Sequence, residues 1–169
     1  MTTGTVLAVK PGSREFGYAI FQKGKLADYG VKSIRRSPPT QSRPEVLRRA
    51  LGDLLSDEQP DAVALEQSSS PADADPYPVP AEVPETIKAV SAIHRVPVHE
   101  LTSKSIRKEA TGDSTATKRM VAQAICRRYP SLHAQMGRHK GRQEWYTLRM
   151  FDAIACGLTF LQLSQGNQS

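Results

Sequence analysis

Cysteine is scarce: Cys126 and Cys156 are the only two in 169 residues. Two thiols with no CxxC spacing and no Cys/His cluster exclude a disulfide framework and a zinc site. Both fall in apolar helical patterns and read as buried thiols of a reducing, cytoplasmic compartment. Long apolar runs are missing too. No stretch approaches the roughly 18 residues of a spanning helix, the hydrophobic share is 38% and the mean hydropathy is −0.45, so no membrane partner is expected. Met1-Thr2-Thr3-Gly4 lacks a basic region followed by an apolar core, and no secretory signal is expected. There is no internal repeat. The length suits one domain over residues 1–169, with one sizeable core.

What is present is positive charge, and it is segregated. Lysine and arginine number 23 against 17 acidic residues, a net charge of +6. Residues 1–49 carry +7, residues 50–100 carry −8 and residues 104–149 carry +8. Two basic segments flanking an acidic one suit a polyanion-binding surface, nucleic acid first, or a solvated basic face.

The apolar pattern sets the expected elements. Thr5–Val9 reads as a buried strand stopped by Lys10-Pro11-Gly12-Ser13, Phe16–Phe21 as a second strand, and Leu26–Ile34 as a third after a Lys23-Gly24-Lys25 turn. A helix is expected from about Pro44 to Ser56, and a parallel strand over Ala62–Glu66. Ser68–Pro84, with five prolines, reads as an inserted loop. Helix 85–94 and an edge strand over 96–101 follow. Thr102 or Ser103 caps a short basic helix to Ala110, and Thr115 or Thr117 caps a helix to Tyr129. A basic loop over 131–143 leads into a last helix from about Glu144 to Leu163. The order predicts an α/β domain: a mixed five-stranded sheet flanked by helices.

Four segments carry a resemblance. Leu7–Ala19, with its Lys10-Pro11-Gly12 and Gly17-Tyr18, resembles the opening strand, Asp-Pro-Gly turn and Gly-Tyr strand of the RuvC Holliday-junction resolvases, within the RNase H-like superfamily. Ala64-Leu65-Glu66-Gln67 is similar to that family's second motif, a strand ending in a catalytic Glu. Gly112, Ala116, Lys118 and Val121 match its glycine and basic-helix region, and Phe151–Leu158 resembles its last helix. The resemblance implies an RNase H-like fold, a homodimer acting on four-way-junction DNA, and two magnesium ions held by four acidic positions.

Two of those four positions depart from the family. Glu66 and Asp152 are kept, but Lys10 and Arg149 stand where carboxylates are expected. The four side chains sum to zero charge without metal, so ion pairs replace cations and no cofactor is expected. Three readings stand side by side. The first is a DNA-binding protein for branched or duplex DNA whose cleavage is lost, a pseudonuclease. The second is an active endonuclease with a shifted magnesium ligand set, such as Glu15 or Asp113, or with a single metal. The third is an assembly module that does not bind nucleic acid.

Lys118 matches a family lysine that positions the scissile phosphate. Arg127, Arg128, Arg138, Lys140 and Arg142 are the candidate DNA-backbone contacts. Ser68-Ser69-Ser70 occupy the place of the family's base-stacking aromatic, with Tyr77 the nearest aromatic. Trp145 and Tyr146 read as packing residues of the final helix. Helix 85–94 is the candidate dimer element. The four histidines show no ligand spacing.

Overall fold

The computed structural model describes residues 4–34, 42–67, 78–136 and 142–166. Five strands form one sheet: β1 Thr5–Pro11, β2 Glu15–Gln22, β3 Lys25–Ser33, β4 Ala62–Glu66 and β5 Val98–Leu101. Their order across the sheet is β3-β2-β1-β4-β5, with the β1–β2 and β2–β3 pairs antiparallel and β1–β4 and β4–β5 parallel. The mixed sheet is the one the apolar pattern predicts, and β5 is an edge as its proline-bearing approach suggests.

The helices are α1 Arg43–Glu58, α2 Glu82–Ile93, α3 Ser103–Thr111, α4 Lys118–Arg128 and α5 Arg142–Gly166. They divide between the two faces of the sheet. Alternate strand residues Leu7, Val9, Ile20, Val63 and Leu65 pack with Leu47, Leu51 and Ile87 of α1 and α2. The other set, Ala8, Ala19, Phe21 and Ala64, packs with Phe151, Ile154, Ala155 and the α3 and α4 residues Ile106, Val121 and Ile125. This period-two division of near-continuous apolar strands is what a sheet covered on both faces requires.

The caps follow local chemistry. Ser42 and Glu45 form a reciprocal capping box ahead of Pro44 in the first turn of α1. Thr102 caps α3, and Thr117 rather than Thr115 caps α4. Thr115 is instead held by Asp113, whose carboxylate accepts from its backbone N–H and its hydroxyl.

Most boundaries shift by a residue or two, and three differences have a clear physical reason. β1 runs on through Lys10 and Pro11, because these pair with Gly17 and Phe16 of β2 and a terminal proline needs no ladder donor. α2 begins at Glu82, inside the segment read as a loop to Pro84. Pro84 sits in its first turn, where the missing N–H would have no intrahelical partner anyway. Within the expected basic loop, Pro130–Gln135 forms a 3-10 helix that buries Leu132. The rest of the proline-rich segment, residues 68–77 with Tyr77, lies outside the described residues. No helix among the described residues is long and apolar enough to cross a membrane.

Candidate active site

Parallel pairing sets the first contact. β1 and β4 run in register with Val9 opposite Leu65, so the next residues, Lys10 and Glu66, meet at the C-terminal ends of both strands. Alternation puts both on the face covered by α5, and both are buried. Lys10 Nζ donates to Glu66 Oε2 in a buried ion pair.

The helices add two more pairs. Lys118, in the first turn of α4, donates to Asp152 Oδ2 at 2.8 Å. Arg149 is buried to 1% exposure, and its Nε donates to Glu15 Oε1 at 2.7 Å. Its Nη1 also donates to the Pro11 carbonyl at 3.3 Å. Arg149 and Asp152 lie three residues apart on one face of α5, yet they pair with different elements.

The expected cluster of Lys10, Glu66, Arg149 and Asp152 is present, and two further charges, Lys118 and Glu15, join it. Arg149 pairs with Glu15 and Lys118 with Asp152, whose carboxyl also feels the charges of Lys10 and Arg149. In the sequence Glu15 reads only as a candidate metal ligand. The signal was the Arg14-Glu15 step at the start of β2, which puts a carboxylate beside the β1 terminus. Glycines make the room. A Cβ on Gly12 would lie 2.5 Å from Arg149 Nε, and one on Gly17 would overlap the Arg149 carbonyl oxygen.

Electrostatics agree with the pairing. Burial pushes the Asp152 carboxyl up, but Lys118, Lys10 and Arg149 outweigh it and hold the group below its ordinary value of 3.8. Burial pushes the nearby Cys156 thiol up to about 12, with Lys10 opposing and Asp152 reinforcing the rise. A thiol so placed is an inert packing group.

A divalent-metal centre does not fit this donor set. Each of the two retained carboxylates, Glu66 and Asp152, already accepts from an ammonium group, and Arg149 occupies a third position. Among the described residues no three His, Cys, Asp or Glu side chains gather to hold a metal ion. Asp113, the other shifted-ligand candidate, is engaged by Thr115.

Of the five candidate DNA contacts, Arg127 and Arg128 are those whose side chains lie among the described residues. Arg127 and Arg128 are exposed in the last turn of α4, about 14 Å along the helix from Lys118 at 1.5 Å per residue. Arg138 and Lys140 lie outside the described residues, as do His139 and the side chains of Arg142 and Trp145. Tyr146, read as a packing residue, is instead 41% exposed. His94 contacts Ser56 and the Val90 carbonyl, and His99 stacks against Phe160.

Residues 6–138 match the family model described as crossover junction endodeoxyribonuclease RuvC. The chain belongs to the RuvC family. A relative so named from Alkaliphilus metalliredigens is 28% identical over 124 residues, covering 71% of this chain and 76% of the relative. Another from Methylococcus capsulatus is 28% identical over 125 residues, covering 72% and 74%. Among solved structures, Thermus thermophilus RuvC superposes with a TM-score of 0.67 at 15% identity, covering 95% of this chain and 96% of that one. Thermus thermophilus RuvC in complex with a Holliday junction substrate gives 0.68 at 18% identity, covering 96% of each chain. The yeast mitochondrial Holliday junction resolvase gives 0.62 at 15% identity, covering 98% of this chain and 81% of that one. The fold is RNase H-like, as the resemblance implied.

Proposed function

We propose that this RuvC-family chain binds four-way-junction or duplex DNA as one domain and has lost the metal-dependent cleavage of its relatives. The observation that carries this reading is the set of three ion pairs at the C-terminal edge of the sheet. Lys10, Lys118 and Arg149 are side-chain cations that pair with Glu66, Asp152 and Glu15. Phosphodiester hydrolysis in such a centre needs mobile dications that activate water and stabilise the leaving oxygen. An ammonium or guanidinium already paired with a carboxylate supplies neither.

DNA binding is supported by the names of the relatives and by the basic segments. Arg127 and Arg128 are offered to a stretch of backbone away from the paired charges, Arg138 and Lys140 precede α5 in the chain, and Arg142 is its first residue. A homodimer is supported by α2, whose Ala89, Ala92 and Ile93 form an outward apolar strip, with Ile93 76% exposed. Two buried, unbridged thiols suit a cytoplasmic setting in DNA recombination.

The test pairs cleavage with binding. A four-way junction is incubated with the chain in magnesium and in manganese, and binding is measured in EDTA. Retained binding with no product is expected. Product formation abolished by Glu66→Gln would overturn the loss of catalysis, and absence of binding to any DNA would overturn the nucleic-acid reading.

A further inference from the structure

β3 is the outer strand of the sheet, and among the described residues no strand pairs with its far side. Ser33 lies opposite Glu15 on β2, and one step further on the Ile34 N–H donates to the Arg14 carbonyl. Antiparallel ladders alternate. Lys32, Gly30 and Asp28 therefore turn their backbone groups toward Phe16, Tyr18 and Ile20, while Val31 and Tyr29 turn theirs outward. The Val31 carbonyl agrees, since it accepts from the Tyr146 hydroxyl of α5 at 3.5 Å, the limit of a hydrogen bond. Side chains alternate as well. Tyr29 and Val31 are half-buried on the α5 face. Asp28 and Lys32 are exposed on the other face, beside Tyr18. The Tyr18 hydroxyl donates to Asp28 Oδ2 at 3.3 Å, and Lys32 Nζ lies 5.5 Å from the ring centre. Neither charge has an ion-pair partner among the described residues. Gly30, between them, has little room for a side chain, because a Cβ would lie 3.0 Å from the Tyr18 ring.

Asp28-Tyr29-Gly30-Val31-Lys32 is thus self-complementary about its glycine: a charge, an apolar residue, glycine, an apolar residue, the opposite charge. An isologous contact needs this pattern, because each residue of a two-fold interface meets its complement in the copy. We propose that the β3 edge pairs antiparallel with the β3 edge of a second copy, centred on Gly30. The outward groups of Tyr29 and Val31 also allow centres on those two residues. Those centres set Asp28 opposite Gly30 or Ile34 of the copy and leave the charges unmatched. With Gly30 at the centre, Asp28 faces Lys32 of the copy on one side of the sheet and Tyr29 faces Val31 on the other, and each pair occurs twice. Opposite charges and aromatic–β-branched pairs are favourable cross-strand neighbours. The backbone groups of Tyr29 and Val31 bond across the seam, and the Tyr29 N–H takes the Val31 carbonyl from the Tyr146 hydroxyl. The two glycines meet where the antiparallel spacing is closest, with Cα atoms about 4.5 Å apart. The joined edges make one continuous sheet and leave neither β3 edge open. α2 lies by the opposite edge, where Lys88 pairs with Glu100 of β5, so the contact is independent of the α2 strip and of DNA binding.

The test is self-association of the full chain without DNA, followed by sedimentation velocity over a range of concentration. An Ile93→Glu background removes the α2 strip, and that chain should still form a dimer. Asp28→Lys and Lys32→Asp, each added singly to it, should weaken the dimer about tenfold, since each sets like charges opposite one another at both ends of the seam. Mixing these two variants in equal amounts should restore association to the level of the Ile93→Glu chain, because each then offers the charge that the other lacks. Lys25→Asp, beyond the register shift at Ile20/Phe21, should leave the dimer unchanged. The Tyr29 and Val31 amides should exchange more slowly with solvent in the dimer than in the dilute monomer. An Ile93→Glu chain that stays monomeric at every concentration would overturn the inference. So would single variants that associate as well as that chain, or a mixture that fails to recover. The DNA-binding reading would stand in each of these cases.

Discussion

Lys10 and Glu66 form a buried pair whose cost depends on keeping both partners. Taking two charges out of water is expensive, and their mutual attraction repays it only while both are present. Lys10→Met should therefore destabilise the fold by about 3–5 kcal/mol, because it leaves Glu66 charged and buried. Adding Glu66→Leu should restore most of that loss, read as the urea midpoint. A single variant no less stable than the double would show that Glu66 finds another partner. Asp152 gives a pH signature of known sign. Its carboxyl is held below 3.8 in the folded chain, so the unfolded chain binds the proton more readily. The stability it contributes is fully present above about pH 4 and is lost as pH falls through the lower folded value. Asp152→Asn should remove that part of the acid limb, seen as a smaller drop in urea midpoint between about pH 5 and pH 3 than in the parent. Legibility at this scale was uneven. The Lys10–Glu66 contact could be read from two strand ends in parallel register. The Arg149–Glu15 pair could not, since it joins residues 134 apart through the seating of α5 on β2.

That seating is the element-scale feature on which the site depends. α5 is long, and its mid-section packs on β1 and β2 through Phe151, Ile154 and Ala155. Gly17 lets it approach: a Cβ there would meet the Arg149 carbonyl and the Met150 amide, backbone atoms that cannot swing aside. Gly17→Ala should cost about 1–3 kcal/mol by pushing helix from strand. It should also loosen Arg149 from Glu15. Amide hydrogen exchange over residues 146–153 would report the loosening, and unchanged protection there would argue that the sheet gives way instead. The sequence resemblance included this glycine as part of a Gly-Tyr strand, but its reason is steric and appears only with α5 in place. The element boundaries show the same division. Strand and helix count follow from apolar period and caps. The start of α2 at Glu82 did not, because proline in a first turn reads in sequence as a break.

For the molecule as a whole, the surplus of +6 coexists with a centre in which three cations meet three carboxylates. A ligand that binds only the folded state adds stability by mass action, about 2.7 kcal/mol when present at 100 times its dissociation constant. A neutral, internally paired centre gives a dication little to bind, so the melting temperature of the chain should not rise in millimolar magnesium, nor fall in EDTA. The complementary variant makes this more than a null result. Lys10→Asp combined with Arg149→Asp places carboxylates at all four family positions beside Glu66 and Asp152. Without metal, their repulsion and burial should lower the melting temperature well below the parent's. Magnesium should then recover a substantial part of the loss in that variant alone, because the dications would neutralise charges that the ammonium and guanidinium groups neutralise in the parent. Calorimetric melting of both chains with magnesium and with EDTA distinguishes the outcomes. A rise in the parent that Glu66→Gln abolishes would mean that Lys10 yields its place to metal, and the loss of catalysis would no longer follow from the ion pairs.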